Sequence, residues 1–379
     1  MADDFVKNPF IVGKYLSDRY FCDRKDETEL LRKHVQNGRD VALISPRRIG
    51  KSGLILHFFN QPDIADAYYV FFIDIYATSS LTEFVYAMGK AVYEQLKPQT
   101  TVWKERFFQV ISSFRVGFKL DSLTGVPSFD LGLGDIQMPQ TTLDELFRYI
   151  DEADKPCIIA IDEFQQIGGY SEKNVEALLR TKIQQCKKAR FIFSGSKRHV
   201  MSNMFNSPSK PFYQSVVSMG LEPIPVEVYT DFACNLFEAY GRSVDRDVVR
   251  AVWQQYEGCT WFVQMLMNEL FAMTAPGDAC KYDMLDEARS HVVMAQADSY
   301  KDLLSNMSVK QKTVLQAIAK EGVARNITSS KFIKKYSLNS ASSVQAAVKQ
   351  LLKNDMVTQT DGAYRVYDYF FSQWLSTVY

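Results

Sequence analysis

The stretch from Val41 to Phe59 limits the chain's possible folds more than any other. Val41-Ala42-Leu43-Ile44 is a short apolar run. Ser45-Pro46-Arg47-Arg48-Ile49-Gly50 follows as a loop, then Lys51-Ser52-Gly53, then the apolar run Leu54-Ile55-Leu56-His57-Phe58-Phe59. The order is strand, loop, helix, with Gly-Lys-Ser where the helix begins. Such a loop turns successive backbone N–H groups inward as a nest for anionic oxygens, and the helix start adds a positive dipole end. Lys51 can then reach terminal phosphates, and the Ser52 hydroxyl can ligate Mg²⁺. The full pattern is G-x-x-x-x-G-K-[ST], and here Ser45 stands in place of its first glycine.

A second landmark lies far downstream. Cys157-Ile158-Ile159-Ala160-Ile161 is a buried-strand run that ends in Asp162-Glu163. Paired carboxylates fit a core strand only at its C-terminal edge, where ligands sit in open α/β sheets. Alone, such a pair reads as a solvated strand end. After a phosphate loop it reads as a metal-holding Asp162 and a water-activating Glu163. Arg190-Phe191-Ile192-Phe193-Ser194-Gly195-Ser196 is another short strand ending in small polar residues. A hydroxyl there could sense a γ-phosphate or hold the attacking water, and the segment reads equally as an ordinary strand-to-loop turn. Lys197 and Arg198 follow as candidate charge-stabilising cations or as solvated residues.

Other segments place these motifs. Asp23 is a candidate N-cap for a helix carrying Leu30, Leu31 and Val35. Tyr68–Tyr76 reads as a strand buried on both faces, and Leu81–Leu96 as a helix capped by Ser79 or Ser80. Residues 111–134 alternate on either side of Thr124-Gly125-Val126-Pro127, which predicts a β-hairpin insertion, either decorative or a contact surface. Val216–Ile224 reads as a fifth strand. Helical patterns fill residues 229–275, with a break at Gly258-Cys259-Thr260-Trp261, and a further helix spans 283–304. Helices at Gln311–Ile318, Thr328–Tyr336 and Ser340–Lys353 precede a two-residue hairpin signal, Asp361-Gly362. Three helices and a hairpin make a winged helix-turn-helix. The apolar tail Tyr369–Leu375 can pack against a body.

Composition excludes several classes. Lys+Arg and Asp+Glu are equal at 44 each in 379 residues, so no global charge draws the chain to nucleic acid or membrane. The longest apolar runs are too short to span a bilayer, and the acidic start, Met1-Ala2-Asp3-Asp4, lacks the pattern of a secretory signal. The scattered cysteines show no metal-ligand spacing. Reduced thiols in a cytoplasmic protein are the expectation.

With these residues in hand, the chain resembles the archaeal-type ATPases of the AAA+ superfamily, close to the STAND signal-transduction group. The resemblance rests on the Phe21–Glu27 segment, the Pro46-Arg47-Arg48 loop, the Ile161-Asp162-Glu163 and Ser194-Gly195-Ser196 strand ends and the terminal winged helix. It implies an α/β P-loop fold with a five-stranded parallel sheet, the Ser194 strand lying between the loop strand and the acidic strand, and a helical lid. Expected domains are 1–226, 227–304 for the lid and 305–379 for the winged helix.

The implied ligands are ATP or ADP with Mg²⁺. The nucleotide would meet Phe21 and Arg24 near the adenine, Ser45, Pro46, Arg47, Arg48, Ile49, Gly50, Lys51, Ser52 and Gly53 at the phosphates, and Thr260 in the lid turn. Ser52 and Asp162 would hold the metal, with Glu163, Lys51, Ser194 and Ser196 catalytic. The departures are Ser45 for glycine, Thr260 where the lid motif has proline, and Gln214-Ser215 where relatives often carry an arginine. The expected activity is slow ATP hydrolysis driving a molecular switch. The alternatives are a scaffold with vestigial hydrolysis and a DNA-associated regulator. The candidate reading helix Ala341–Lys353 offers only Lys349 and Lys353, so DNA is not favoured over a protein partner docking on the hairpin or winged helix.

Overall fold

The computed structural model describes residues 6–96, 118–120, 127–129, 136 and 138–378. They fall into two compact units, Gly13–Ile224 and the combination of Met1–Val12 with Pro225–Tyr379. The arm expected at the front of the nucleotide domain is therefore divided, and its first part belongs with the C-terminal residues.

In the Gly13–Ile224 unit, α1 (Lys25–Gln36), β1 (Val41–Ile44), α2 (Lys51–Phe59), α3 (Pro62–Ala67), β2 (Tyr69–Asp74) and α4 (Leu81–Leu96) come first. The short strands β3 (Phe118–Leu120) and β4 (Pro127–Phe129) follow. Then come α5 (Pro139–Asp151), β5 (Cys157–Asp162), α6 (Val175–Gln185), β6 (Ala189–Gly195), α7 (Arg198–Asn206) and β7 (Val217–Met219). The five-stranded sheet has the order β2-β5-β6-β1-β7, with every pair parallel. β6 lies between the loop strand and the acidic strand, as the resemblance implied.

Both faces of this sheet are covered. Val41, Leu43, Ile158, Ala160 and Ile192 pack with α1 and α2 through Leu31, Val35, Leu54, Ile55 and Phe58. Their strand neighbours Ala42, Ile159, Ile161, Phe191 and Phe193 pack on the other face with Phe84, Val85, Leu143 and Leu146 of α4 and α5. Side chains alternate across a strand, so the continuous apolar runs are what a sheet buried on both sides requires.

Local readings differ from the structure at several points. Asp23 does not cap α1: Asp23 and Arg24 both take left-handed backbone angles, φ 58° and 68°, and the helix starts at Lys25 without a side-chain cap. Ser80 does cap α4, accepting from the Glu83 N–H at 3.3 Å. The fifth strand is shorter than expected, ending at Met219. β3 and β4 pair antiparallel, Phe118 opposite Phe129, and Pro127, read as part of the turn, lies in β4. The rest of the expected hairpin, 111–117, 121–126 and 130–134, lies outside the described residues.

The other unit carries α8 (Val226–Ala239), β8 (Ser243–Val244), α9 (Arg246–Gln255), α10 (Thr260–Met273), β9 (Ala279–Cys280), α11 (Leu285–Ala295) and α12 (Ala297–Ser305). It continues with α13 (Val309–Glu321), β10 (Ala324–Arg325), α14 (Ser330–Lys335), α15 (Ala341–Lys353), β11 (Val357–Thr360), β12 (Ala363–Val366) and α16 (Tyr369–Val378). The single helix expected over 283–304 is two helices, because Gln296 leaves helical geometry at φ −105° and ψ 1°. α13 to α15 with the β10-β12-β11 sheet form the winged helix. Its hairpin closes over Asp361-Gly362, both at positive φ, as a two-residue turn of this kind demands. The apolar tail is α16, whose Phe371 and Trp374 rings pack on Tyr300 at 5.0 and 5.7 Å. Among the described residues no helix is long and apolar enough to cross a membrane.

Candidate nucleotide site

The parallel topology brings the C-terminal ends of β1, β5 and β6 to one edge of the sheet. Ile44 is level with Gly195, and Asp162 with Asp74 on β2. The loop after β1 turns through Arg48 at φ 68° and Gly50 at φ 103°. Alternation of right- and left-handed residues is the backbone form that makes an anion nest. α2 starts at Lys51, whose buried ammonium donates to the carbonyls of Ser45 and Pro46 at 2.9 and 2.8 Å.

Ser45, where the pattern has glycine, is not at positive φ, so a side chain costs nothing in backbone strain. Its hydroxyl accepts the Leu221 N–H at 2.5 Å, and its own N–H donates to Gly195 O at 3.4 Å. The serine thereby ties the loop to β6 on one side and to the chain just after β7 on the other.

The loop and the acidic pair meet directly. Ser52 Oγ donates to Asp162 Oδ2 at 2.5 Å across 110 residues of sequence. Asp162 Oδ1 accepts the N–H of Glu163 at 3.0 Å. Glu163 sits in the left-handed region at φ 56°, where a non-glycine residue is uncommon and held by its surroundings. Its Oε2 accepts from Ser196 Oγ at 2.8 Å and from the amide of Gln165. Arg47 Nε donates to the same Ser196 oxygen at 3.2 Å.

The serines on either side of Gly195, Ser194 in β6 and Ser196 just after it, thus part company. Ser196 joins the acidic pair, whereas the Ser194 hydroxyl is fully buried and has no hydrogen-bond partner among the described residues. Gly195 between them has no room for a side chain. An added Cβ would lie 2.5 Å from Gln165 Oε1 and from Met201 Sδ.

The expected base-binding residues frame the opposite side of the loop. The buried Arg24 guanidinium donates to Ile49 O at 3.3 Å, Glu222 O at 2.8 Å and Glu27 Oε1 at 2.6 Å. It brackets the loop against the chain after β7. Phe21 stacks on His57 of α2 at 4.3 Å between ring centres. Burial holds the His57 imidazole below its ordinary pKa, against the pull of Asp18 at 3.0 Å. Thr260 opens α10 in the other unit.

Three residues here escaped the sequence reading. Asp74 ends β2 beside Asp162, and its carboxyl is raised above the usual range, first by burial and then by Asp162 and Glu163 against one backbone hydrogen bond. A second apolar strand ending in aspartate was the available signal. Tyr76 donates its N–H to Asp74 Oδ1 at 2.8 Å and lies under the Arg47 guanidinium at 5.7 Å. Gln165 follows the strand in a short 3₁₀ turn (Phe164–Gly169), and nothing in its sequence context marks it.

The oxygen-only pair Ser52 and Asp162 fits Mg²⁺, which takes one or two protein oxygens and keeps its other positions for water and phosphate. Among the described residues no cluster of three His, Cys, Asp or Glu side chains offers an alternative metal centre.

A family model described as an ATPase domain predominantly from Archaea matches residues 21–265. The chain belongs to this ATPase-domain family. A second model, described as a probable winged helix domain, matches residues 298–377 of the ATPase-family chain. Comparison with curated proteins gives no match. Among solved structures, the Walker-type ATPase PABY2304 of Pyrococcus abyssi aligns at 17% identity and TM-score 0.65, covering 97% of this chain and 99% of that one. The ORC2 protein of Aeropyrum pernix, in ADPNP–ADP complexes, aligns at 13% identity and TM-score 0.61, covering 98% and 96%. ORC1 of Aeropyrum pernix, in complex with DNA, aligns at 12% identity and TM-score 0.53, covering 94% and 93%. At such identities the likeness is one of fold: an α/β P-loop ATPase core with helical elements and a winged helix.

Proposed function

We propose that this ATPase-family chain binds ATP with Mg²⁺, hydrolyses it slowly, and uses the nucleotide state as a molecular switch of the signal-transduction kind. The observation that carries the reading is the 2.5 Å contact between Ser52 of the phosphate loop and Asp162 of the acidic strand. Loop amides and Lys51 stabilise charge on the transferring phosphoryl group. Ser52 and Asp162 hold the metal, which when bound neutralises charge on the β- and γ-phosphates. Glu163 orients the attacking water and accepts its proton, and Ser196 fixes Glu163. Phe21 and Arg24 border the base. The working division is a nucleotide domain at 1–226, less the first residues, which group with the C-terminal unit, a lid at 227–304 that carries Thr260, and a winged helix at 305–379.

The test is a pair of variants. Lys51→Ala is expected to lose ATP affinity by calorimetry. Glu163→Gln is expected to keep the affinity and lose phosphate release by about a hundredfold or more. Unchanged affinity in the first removes the site; unchanged turnover in the second removes Glu163 as the base. A parent protein that binds ATP without releasing phosphate is a scaffold with vestigial hydrolysis.

DNA association is a second reading, favoured by the winged-helix match and by exposed Lys331, Lys334, Lys349 and Lys353 on α14 and α15. It is weakened by Glu321, which pairs with Lys335 at 2.7 Å. A salt-dependent shift of duplex DNA supports it, and no shift with or without ATP discards it.

A further inference from the structure

The hydrogen bonds around Ser196 point to a role for Arg47 other than the phosphate contact expected from the sequence. A serine hydroxyl has one hydrogen to give and two lone pairs to accept with. Ser196 Oγ receives Arg47 Nε–H at 3.2 Å and a long contact from the Gln165 amide at 3.5 Å. Its acceptor sites face those donors, so its single hydrogen is directed at Glu163 Oε2, 2.8 Å away. The same Oε2 also takes a hydrogen from Gln165. One oxygen of the carboxylate is therefore tied by two donors, and Oε1 takes neither bond.

The donors are themselves held. Arg47 lies over the Tyr76 ring at 5.7 Å, a cation–π distance. Tyr76 is fixed by its N–H to Asp74 and by its carbonyl, which accepts from Gln166 at 3.2 Å. Gln165 is buried, and its amide oxygen occupies the space that a side chain on Gly195 would need. The phosphate loop and the segments at the ends of β2, β5 and β6 are thus linked by one set of contacts that includes Glu163.

We propose that Arg47 is a positioning residue: through Ser196 it orients the Glu163 carboxylate, so that the phosphate loop itself sets the geometry of the proposed base. The proposal rests on Glu163 acting in ATP hydrolysis, as argued above. It differs from a phosphate-binding role in where its loss is felt. A positioning residue lowers kcat and leaves nucleotide binding near its parent value. It also acts only while Ser196 is there to transmit its effect.

The experiment is a double-mutant cycle on the full chain with Arg47→Gln, Ser196→Ala and the pair. Steady-state phosphate release gives kcat and KM, and calorimetry gives ATP affinity. Nucleotide-free crystal structures of the parent and of Arg47→Gln complete the set. Each single variant is expected to lose kcat about tenfold or more, with KM and affinity within about threefold. The pair should fall no lower than Ser196→Ala alone, and Glu163 should leave Ser196 in the Arg47→Gln crystal. Multiplicative losses in the pair overturn the proposal. So does an Arg47→Gln protein whose affinity falls while kcat holds. If the parent releases no phosphate, hydrolysis fails as a reading and the crystals decide the proposal: a displaced Glu163 sustains it, and an unmoved Glu163 overturns it.

Discussion

At the scale of single residues, Ser45 shows how a departure from a pattern can be read physically. Glycine leads phosphate loops where the backbone needs its freedom, yet position 45 has no positive φ. The hydroxyl supplies the partner of a buried N–H instead. Ser45→Ala should leave the Leu221 N–H without that partner and cost about 1–3 kcal/mol, measured as a lower unfolding midpoint in denaturant. Ser45→Gly should cost at least as much, which a glycine-requiring site would not show. Asp74 gives a pH prediction. Its folded-state pKa is raised, so as pH rises the unfolded chain ionises first and the folded protein is destabilised across the interval up to the raised value. Asp74→Asn keeps an oxygen for the Tyr76 N–H and does not titrate. Without Mg²⁺ and nucleotide, it should be more stable than the parent at pH 7, and the advantage should vanish as pH falls through the carboxylate range. Melting both proteins across that range checks the sign.

At the scale of elements, α2 presents Lys51 and Ser52 because its other face is driven into the sheet. Leu54, Ile55 and Phe58 are fully buried there against Leu43, Ile158 and Ile192. Leu54→Ala should cost about 2–5 kcal/mol by transfer and cavity terms. Because the helix start carries Lys51 and Ser52 of the proposed site, ATP affinity should fall with it even though residue 54 is not among the proposed nucleotide contacts. Calorimetry and unfolding on the same variant read both effects. Elements of this kind were legible in the sequence. The runs 41–44 and 157–161 are apolar on both faces, Asp162 and Glu163 end the second, and the loop that follows the first leads to Lys51 and Ser52. Gln165 and Tyr76 were not legible, because their places depend on a 3₁₀ turn and on strand register, which no periodicity encodes. The left-handed pair Asp23 and Arg24 defeated the capping rule at α1 for the same reason: a capping preference is local, and the Arg24 bonds to Ile49 and Glu222 that accompany this turn are tertiary.

At the scale of the whole molecule, the chain starts in one compact unit, builds the other from Gly13 to Ile224, and returns. The return is anchored by a few N-terminal residues. Phe10 is fully buried and meets the Phe237 and Phe271 rings at 5.4 and 5.8 Å. Asn8 and Asn268 exchange side-chain bonds to backbone, Asn8 Nδ2 to Asn268 O at 2.8 Å and Asn268 Nδ2 to Phe10 O at 2.7 Å. Removing a buried phenylalanine costs about 3–5 kcal/mol, and here the cost falls on the unit that holds residues 225–379. ATP with Mg²⁺ acts on the other side of the ledger. At a hundredfold excess over its Kd, a ligand bound only to the folded state adds about 2.7 kcal/mol, and the phosphate loop and acidic pair both belong to Gly13–Ile224. Phe10→Ala should therefore lower one thermal transition, and Mg-ATP should raise another. Hydrogen exchange followed by peptide mass analysis assigns each transition to its residues. If Phe10→Ala loosened the β1, β5 and β6 peptides as much as those of α8 and α10, the two units would unfold as one cooperative body.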